Sequence, residues 1–75
     1  MDTNTLTQMI KMEIPDATVE AQDIKGDGRH FTVTVVSARF QGMTRVEQHR
    51  LVHSALDEAI GKDDLHALQL TTRIA

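Results

Sequence analysis

From His30 to Ala38 apolar and polar residues alternate, putting Phe31, Val33 and Val35 on one side of an extended strand and His30, Thr32, Thr34 and Val36 on the other. The same period of two returns from Leu65 to Ile74, where His66, Leu68, Leu70, Thr72 and Ile74 share a face. The stretch between them has a helical period. Thr44 and Glu47 form a capping box that opens it, and the helix runs to about Ile60, with Gly61 as its C-terminal cap. Leu51, Val52, Ala55, Leu56, Ala59 and Ile60 cover one half of its wheel, and Glu47, Arg50, Ser54, Asp57 and Glu58 the other. A strand that passes through a helix into another strand of the same sheet is normally parallel to it, with a right-handed crossover. The last strand is therefore expected beside the second and parallel to it, with the long helix lying across one face.

Upstream, Thr3 to Met12 carries Leu6, Met9 and Ile10, followed by Ile14, at helical spacing, and Thr5 with Gln8 matches the capping-box pattern. Pro15 cannot continue this helix and biases Ile14 away from helical angles, so it should stop near Glu13. From Ala17 to Lys25, Val19 and Ala21 alternate loosely in a strand-like pattern. Gly26-Asp27-Gly28 then turns the chain into the strand that starts at His30, giving an antiparallel hairpin. A Gly-x-Gly that opens a strand lacks the helix N-terminus a phosphate loop requires. Ser37 to Met43 is a connection containing Gly42. The order helix, strand, strand, helix, strand describes an α+β fold: a small three-stranded sheet with helices on one face, in a single domain over residues 1–75.

With 75 residues the chain has room for one hydrophobic core, and without cysteine neither a disulfide nor an all-thiolate zinc site can staple it. The net charge of −3 argues against holding nucleic acid by bulk charge, though a local basic patch is compatible with it. Apolar runs fall well short of the ~20 residues that span a bilayer, and no charged-then-apolar leader opens the chain. A soluble, cytoplasmic protein without membrane contact is expected.

Four histidines, His30, His49, His53 and His66, combine metal affinity with titration near neutral pH. His49 and His53 stand one helical turn apart, with Asp57 continuing the stripe. Arg50 occupies the place where a zincin-type helix carries its Glu, so the pair reads as a helix edge balanced by Arg50 and Asp57. Alternation places His66 on the core face at the very start of its strand, where taken alone it reads as a histidine bonded to backbone. His30 sits at the matching start of the second strand. If these strands are parallel neighbours, their starts lie at one end of the sheet and the two imidazoles can approach each other. No catalytic set is present: Ser37 and Ser54 have no recognisable base beside them, and no Gly-x-Ser-x-Gly elbow occurs. Arg39, Arg45 and Arg50, with His49 and His53, cluster around the Gly42 turn as a basic surface of the kind a nucleic acid could meet. The chain has only two aromatics for base stacking and no Gly-x-x-Gly clamp.

His30-Phe31, the run Val35-Val36-Ser37-Ala38-Arg39-Phe40-Gln41-Gly42, His49-Arg50-Leu51-Val52 and Leu65-His66-Ala67-Leu68 together resemble, in order and spacing, the BolA family. Gly26 to Gly28 before the His-Phe pair is similar to its short IbaG-like branch. The resemblance covers nearly the whole chain and implies a fold related to the type II KH domain. It implies a non-enzymatic partner of monothiol glutaredoxins, sharing a 2Fe-2S cluster with the glutaredoxin and glutathione in iron-sulfur trafficking or iron and stress regulation. On that resemblance the metal ligands are His66 of the His-Ala motif and a second donor from the loop between the first two strands, for which His30 is the available residue. Imidazole suits such a site, and the partner's thiols would supply the sulfur ligands. The free protein is expected to be a monomer or weak homodimer. The family also implies an alternative, transcriptional regulation by DNA binding through the Gly42 turn and the Arg45 to His53 helix. Relatives usually continue beyond the last strand, so either a smaller partner surface or a sequence cropped at this end is expected here.

Overall fold

The computed structural model describes residues 2–27, 30–59 and 67–75. Helix α1 (Thr3–Glu13) leads into strands β1 (Thr18–Asp23) and β2 (His30–Ser37). A single 3-10 turn, Ala38–Phe40, joins β2 to helix α2 (Arg45–Ala59), and strand β3 (Ala67–Ile74) closes the chain. The sheet order is β1-β2-β3, with β1 antiparallel to β2 and β3 parallel to it. The parallel pairing of β2 and β3 expected from the two alternating runs is the one observed. Register runs from His30 opposite Ala67 to Ser37 opposite Ile74.

The inward face of β2, Phe31, Val33 and Val35, is fully buried against Leu6 and Ile10 of α1 and Val52 and Leu56 of α2. Val19 and Ala21 of β1 and Leu68 and Leu70 of β3 pack at its margins. The even-numbered face of β2 carries His30, Thr32, Thr34 and Val36, and all four are only partly buried. Phe40, placed by the sequence in a plain connection, lies in the 3-10 turn and is also completely buried, as part of the same core cluster. Both phenylalanines of the chain are thus core residues.

Helix α2 opens as the sequence predicts. The Thr44 N–H donates to Glu47 Oε1 at 2.8 Å while the Glu47 N–H donates to Thr44 Oγ1 at 3.2 Å. For α1 the expectation is corrected. Its N-cap is Asp2, whose carboxylate accepts from the Thr5 N–H at 2.7 Å, so the helix begins before the Thr5–Gln8 pair and holds both residues inside. An ionised carboxylate at this position meets the unsatisfied N–H groups and the positive end of the helix dipole together.

Two polar pins join elements far apart in sequence. Asp16, just after Pro15, accepts from the buried Ser37 hydroxyl at 2.7 Å and the Ala38 N–H at 3.0 Å, tying the end of β2 to the α1–β1 connection. Gln48, buried on the inner side of α2, donates to the Met43 carbonyl at 3.0 Å and accepts from the Thr72 hydroxyl at 2.7 Å, clamping α2 to β3.

The Ser37 hydroxyl holds the Asp16 carboxyl below its ordinary value of 3.8. A depressed folded-state value means that the contribution is complete above that ordinary value and is lost as pH falls through the folded one. Thermal melts across an acid series should show Asp16→Asn less stable than wild type near neutrality, with the difference shrinking at acid pH; a constant difference at every pH would contradict the pin. Gln48→Ala, which leaves the partly buried Thr72 hydroxyl and Met43 carbonyl without this partner, should cost about 1 kcal/mol in urea unfolding.

Candidate functional site

The turn between β1 and β2 is built around Asp27. Gly26 adopts φ +67°, a left-handed conformation that needs no Cβ, and the Ile24 N–H donates to the His30 carbonyl at 2.9 Å to close the hairpin. Asp27 then bends back on the strand it precedes. Its Oδ1 accepts from the His30 N–H at 3.2 Å and its Oδ2 lies 2.8 Å from the His30 Nδ1. An ionised carboxylate only accepts hydrogen bonds, so Nδ1 carries a proton in this contact, and in the neutral ring Nε2 is the nitrogen that keeps a lone pair. Both side chains remain partly accessible, 28% for His30 and 38% for Asp27. Carboxylate, imidazole and a free Nε2 form the arrangement that fixes tautomer and ring direction in metal-ligating histidines.

His30 stands in register with Ala67, the first residue of β3. The other candidate ligand, His66, is bonded to Ala67 and lies outside the described residues. Among the described residues no three His, Cys, Asp or Glu side chains come together as a metal site. The Asp27–His30 pair can therefore present one oriented nitrogen donor, to be completed by other groups.

The basic residues divide into two places. Arg39 donates from a guanidinium nitrogen to the Glu13 carbonyl at 2.7 Å, capping the end of α1. Arg45, His49, Arg50 and His53 instead line one depression of about 460 Å³ along α2, together with Val46. A second depression, about 230 Å³, runs from Arg45 and His49 to Leu70, Thr71 and Thr72 of β3. Sequence reasoning found the four α2 residues but missed Val46, which is 59% exposed and lines the same depression. It also missed the Asp27–His30 contact, whose signal was an Asp three residues before a His in a glycine turn. Neither serine is activated: Ser37 is buried and bonded to Asp16, and Ser54 is exposed on α2.

A family model described as "BolA-like protein" matches residues 3–75. The chain is 39% identical over 64 residues to a BolA-like protein of Dictyostelium discoideum, covering 85% of this chain and 56% of that one. It is 48% identical over 48 residues to human BolA-like protein 1, covering 64% of this chain and 34% of the relative. These matches thus span about a half and a third of the curated relatives' own lengths. Among solved structures, a BolA protein homologue from Coxiella burnetii superposes with a TM-score of 0.79 at 35% identity, covering 99% of this chain and 91% of that one.

The orientation of His30 is directly measurable. Nitrogen-15 spectra of the imidazole should show the Nδ1–H tautomer as the main neutral form in the wild type, and Asp27→Ala should shift the population toward Nε2–H, the form favoured by a free imidazole.

Proposed function

Since this chain belongs to the BolA-like protein family, we propose that it acts without catalytic chemistry of its own, as the partner of a monothiol glutaredoxin with which it shares a 2Fe-2S cluster in iron-sulfur trafficking or iron and stress regulation. The observation that carries this reading is the parallel register of β2 and β3. It sets the start of the strand that follows His66 beside His30, whose imidazole Asp27 has already oriented. In this reading His66 of the His-Ala motif is the first ligand and His30 Nε2 the second donor. The Gly26-Asp27-Gly28 turn before His30-Phe31 supports the IbaG-like branch.

The donor set fits such a cargo chemically. A chain with no cysteine offers imidazoles, which ligate iron in clusters and raise their potential relative to thiolates, while the glutaredoxin and glutathione provide sulfur. The contribution of this chain is to present neutral, oriented imidazole nitrogen, and Asp27 lowers the cost of ordering the ring before the partner arrives. A cytoplasmic location accords with this role, and no helix among the described residues is long and apolar enough to cross a membrane.

A second reading is DNA binding, favoured by the strip of Arg45, His49, Arg50 and His53 along one helix. Two features weigh against it: the net charge of −3, and the burial of both aromatic side chains.

The test is to mix the protein with a monothiol glutaredoxin, glutathione and reconstituted cluster. A heterodimer is expected, with a visible spectrum distinct from that of the glutaredoxin homodimer. His66→Ala should abolish the difference and His53→Ala should leave it largely intact. A spectrum unchanged by adding the protein contradicts the proposal.

A further inference from the structure

Strand β3 lies at one edge of the sheet, and among the described residues no strand pairs with its far side. The ladder fixes which backbone groups face outward. The Ala75 N–H donates to the Ser37 carbonyl at 3.2 Å, so the odd-numbered residues of β3 turn their N–H and C=O groups toward β2. Those of Leu70 and Thr72 therefore point away from the sheet. Natural edges are usually blunted by charge, proline or a bulge. The other edge, β1, carries Glu20 and Asp23, whereas Leu68 to Thr72 holds no charge, proline or glycine.

The exposed edge opens into a basic depression. Leu70, Thr71 and Thr72 share it with Arg45 and His49, and the adjoining depression along α2 adds Arg50, His53 and the exposed Val46. Among the described residues none of those lining either one is acidic, in a chain whose net charge is −3. We propose that β3 and α2 together form a docking site for an extended acidic segment of a partner protein, which adds as a fourth strand beside β3 and sets carboxylates against Arg45 and Arg50. Main-chain hydrogen bonds to Leu70 and Thr72 supply register, Val46 meets an apolar side chain of the segment, and the two arginines select for acid. The charge pattern disfavours a second copy as occupant. Pairing β3 with β3 would bring two sets of Arg45 and His49 together at the centre of the interface. DNA is disfavoured by the small size of the β3 depression and by the exposed apolar Val46 among the basic residues. The site is separate from the His30 end of the sheet and stands independently of cluster sharing.

The experiment uses a short fluorescent peptide of alternating Val and Glu with the nitrogen-15-labelled protein. Three control probes accompany it: the same peptide with Gln for Glu, the same peptide N-methylated at alternate amides on either register, and a duplex DNA oligonucleotide. The Val/Glu peptide is expected to shift the Leu70 and Thr72 amides and slow their exchange. The Gln peptide should bind weakly, and one of the two N-methylated registers not at all. Arg45→Gln with Arg50→Gln, checked for an unchanged circular dichroism spectrum, should weaken binding by about three- to tenfold. Since the N-methylated probes leave the protein untouched, they decide the question even if that variant misfolds. Equal binding of the Gln peptide, unchanged Leu70 and Thr72 amides, a dimer that already protects them, or DNA binding there without peptide binding would each overturn the proposal.

Discussion

The parallel pairing of β2 with β3 is the constraint on which the remaining structure depends. Parallel neighbours cannot be joined by a tight turn, so the chain must leave the sheet, cross one face and return. That return path is the reason α2 exists as a long amphipathic helix, and its buried stripe of Val52, Ala55 and Leu56 covers the inner side of the strands it connects. The pairing also makes β2 the central strand. Phe31, Val33 and Val35 consequently lose all contact with solvent, while Val19 and Leu70 on the flanking strands are only partly covered.

Polar contacts then lock what burial has brought together. Without a disulfide, the domain relies on hydrogen bonds between distant segments to choose one packing among similar ones. Asp16 fastens the exit of β2 and Gln48 holds α2 onto β3, while Arg39 satisfies a carbonyl at the end of α1. The proposed function draws on the opposite end of the sheet. There Asp27 holds the His30 ring through Nδ1 and leaves Nε2 to be used, a device that matters only if something outside the chain completes the site.

Most of the fold was legible because alternation and helical period are local signals. The strands, the two helices and the Thr44–Glu47 capping box follow from residues within a few positions of one another, and the parallel pairing of β2 with β3 follows from their order along the chain. The pins were not legible. Asp16 and Ser37 are 21 positions apart, Gln48 and Thr72 are 24, and Arg39 and Glu13 are 26, so only tertiary structure makes them neighbours. The same limit separates Arg39 from the basic strip on α2, which the sequence had grouped with it. At α1 the failure was of another kind: two acceptable caps lie within one turn, and the carboxylate of Asp2 wins over the hydroxyl of Thr5 by starting the helix earlier. Of the two candidate ligands, the structure adds an oriented ring to His30. The case for His66 rests on its motif and on its bond to Ala67.

The central claim is that this chain contributes imidazole nitrogen to a cluster held jointly with its partner. Its most direct test is pulsed electron paramagnetic resonance of the reduced glutaredoxin complex, prepared with nitrogen-15 histidine in this chain alone. The account expects strongly coupled nitrogen-15 signals from two histidines of this chain, one lost in His66→Ala and the other in His30→Ala. A reduced cluster in the complex showing no histidine nitrogen coupling from this chain would contradict it.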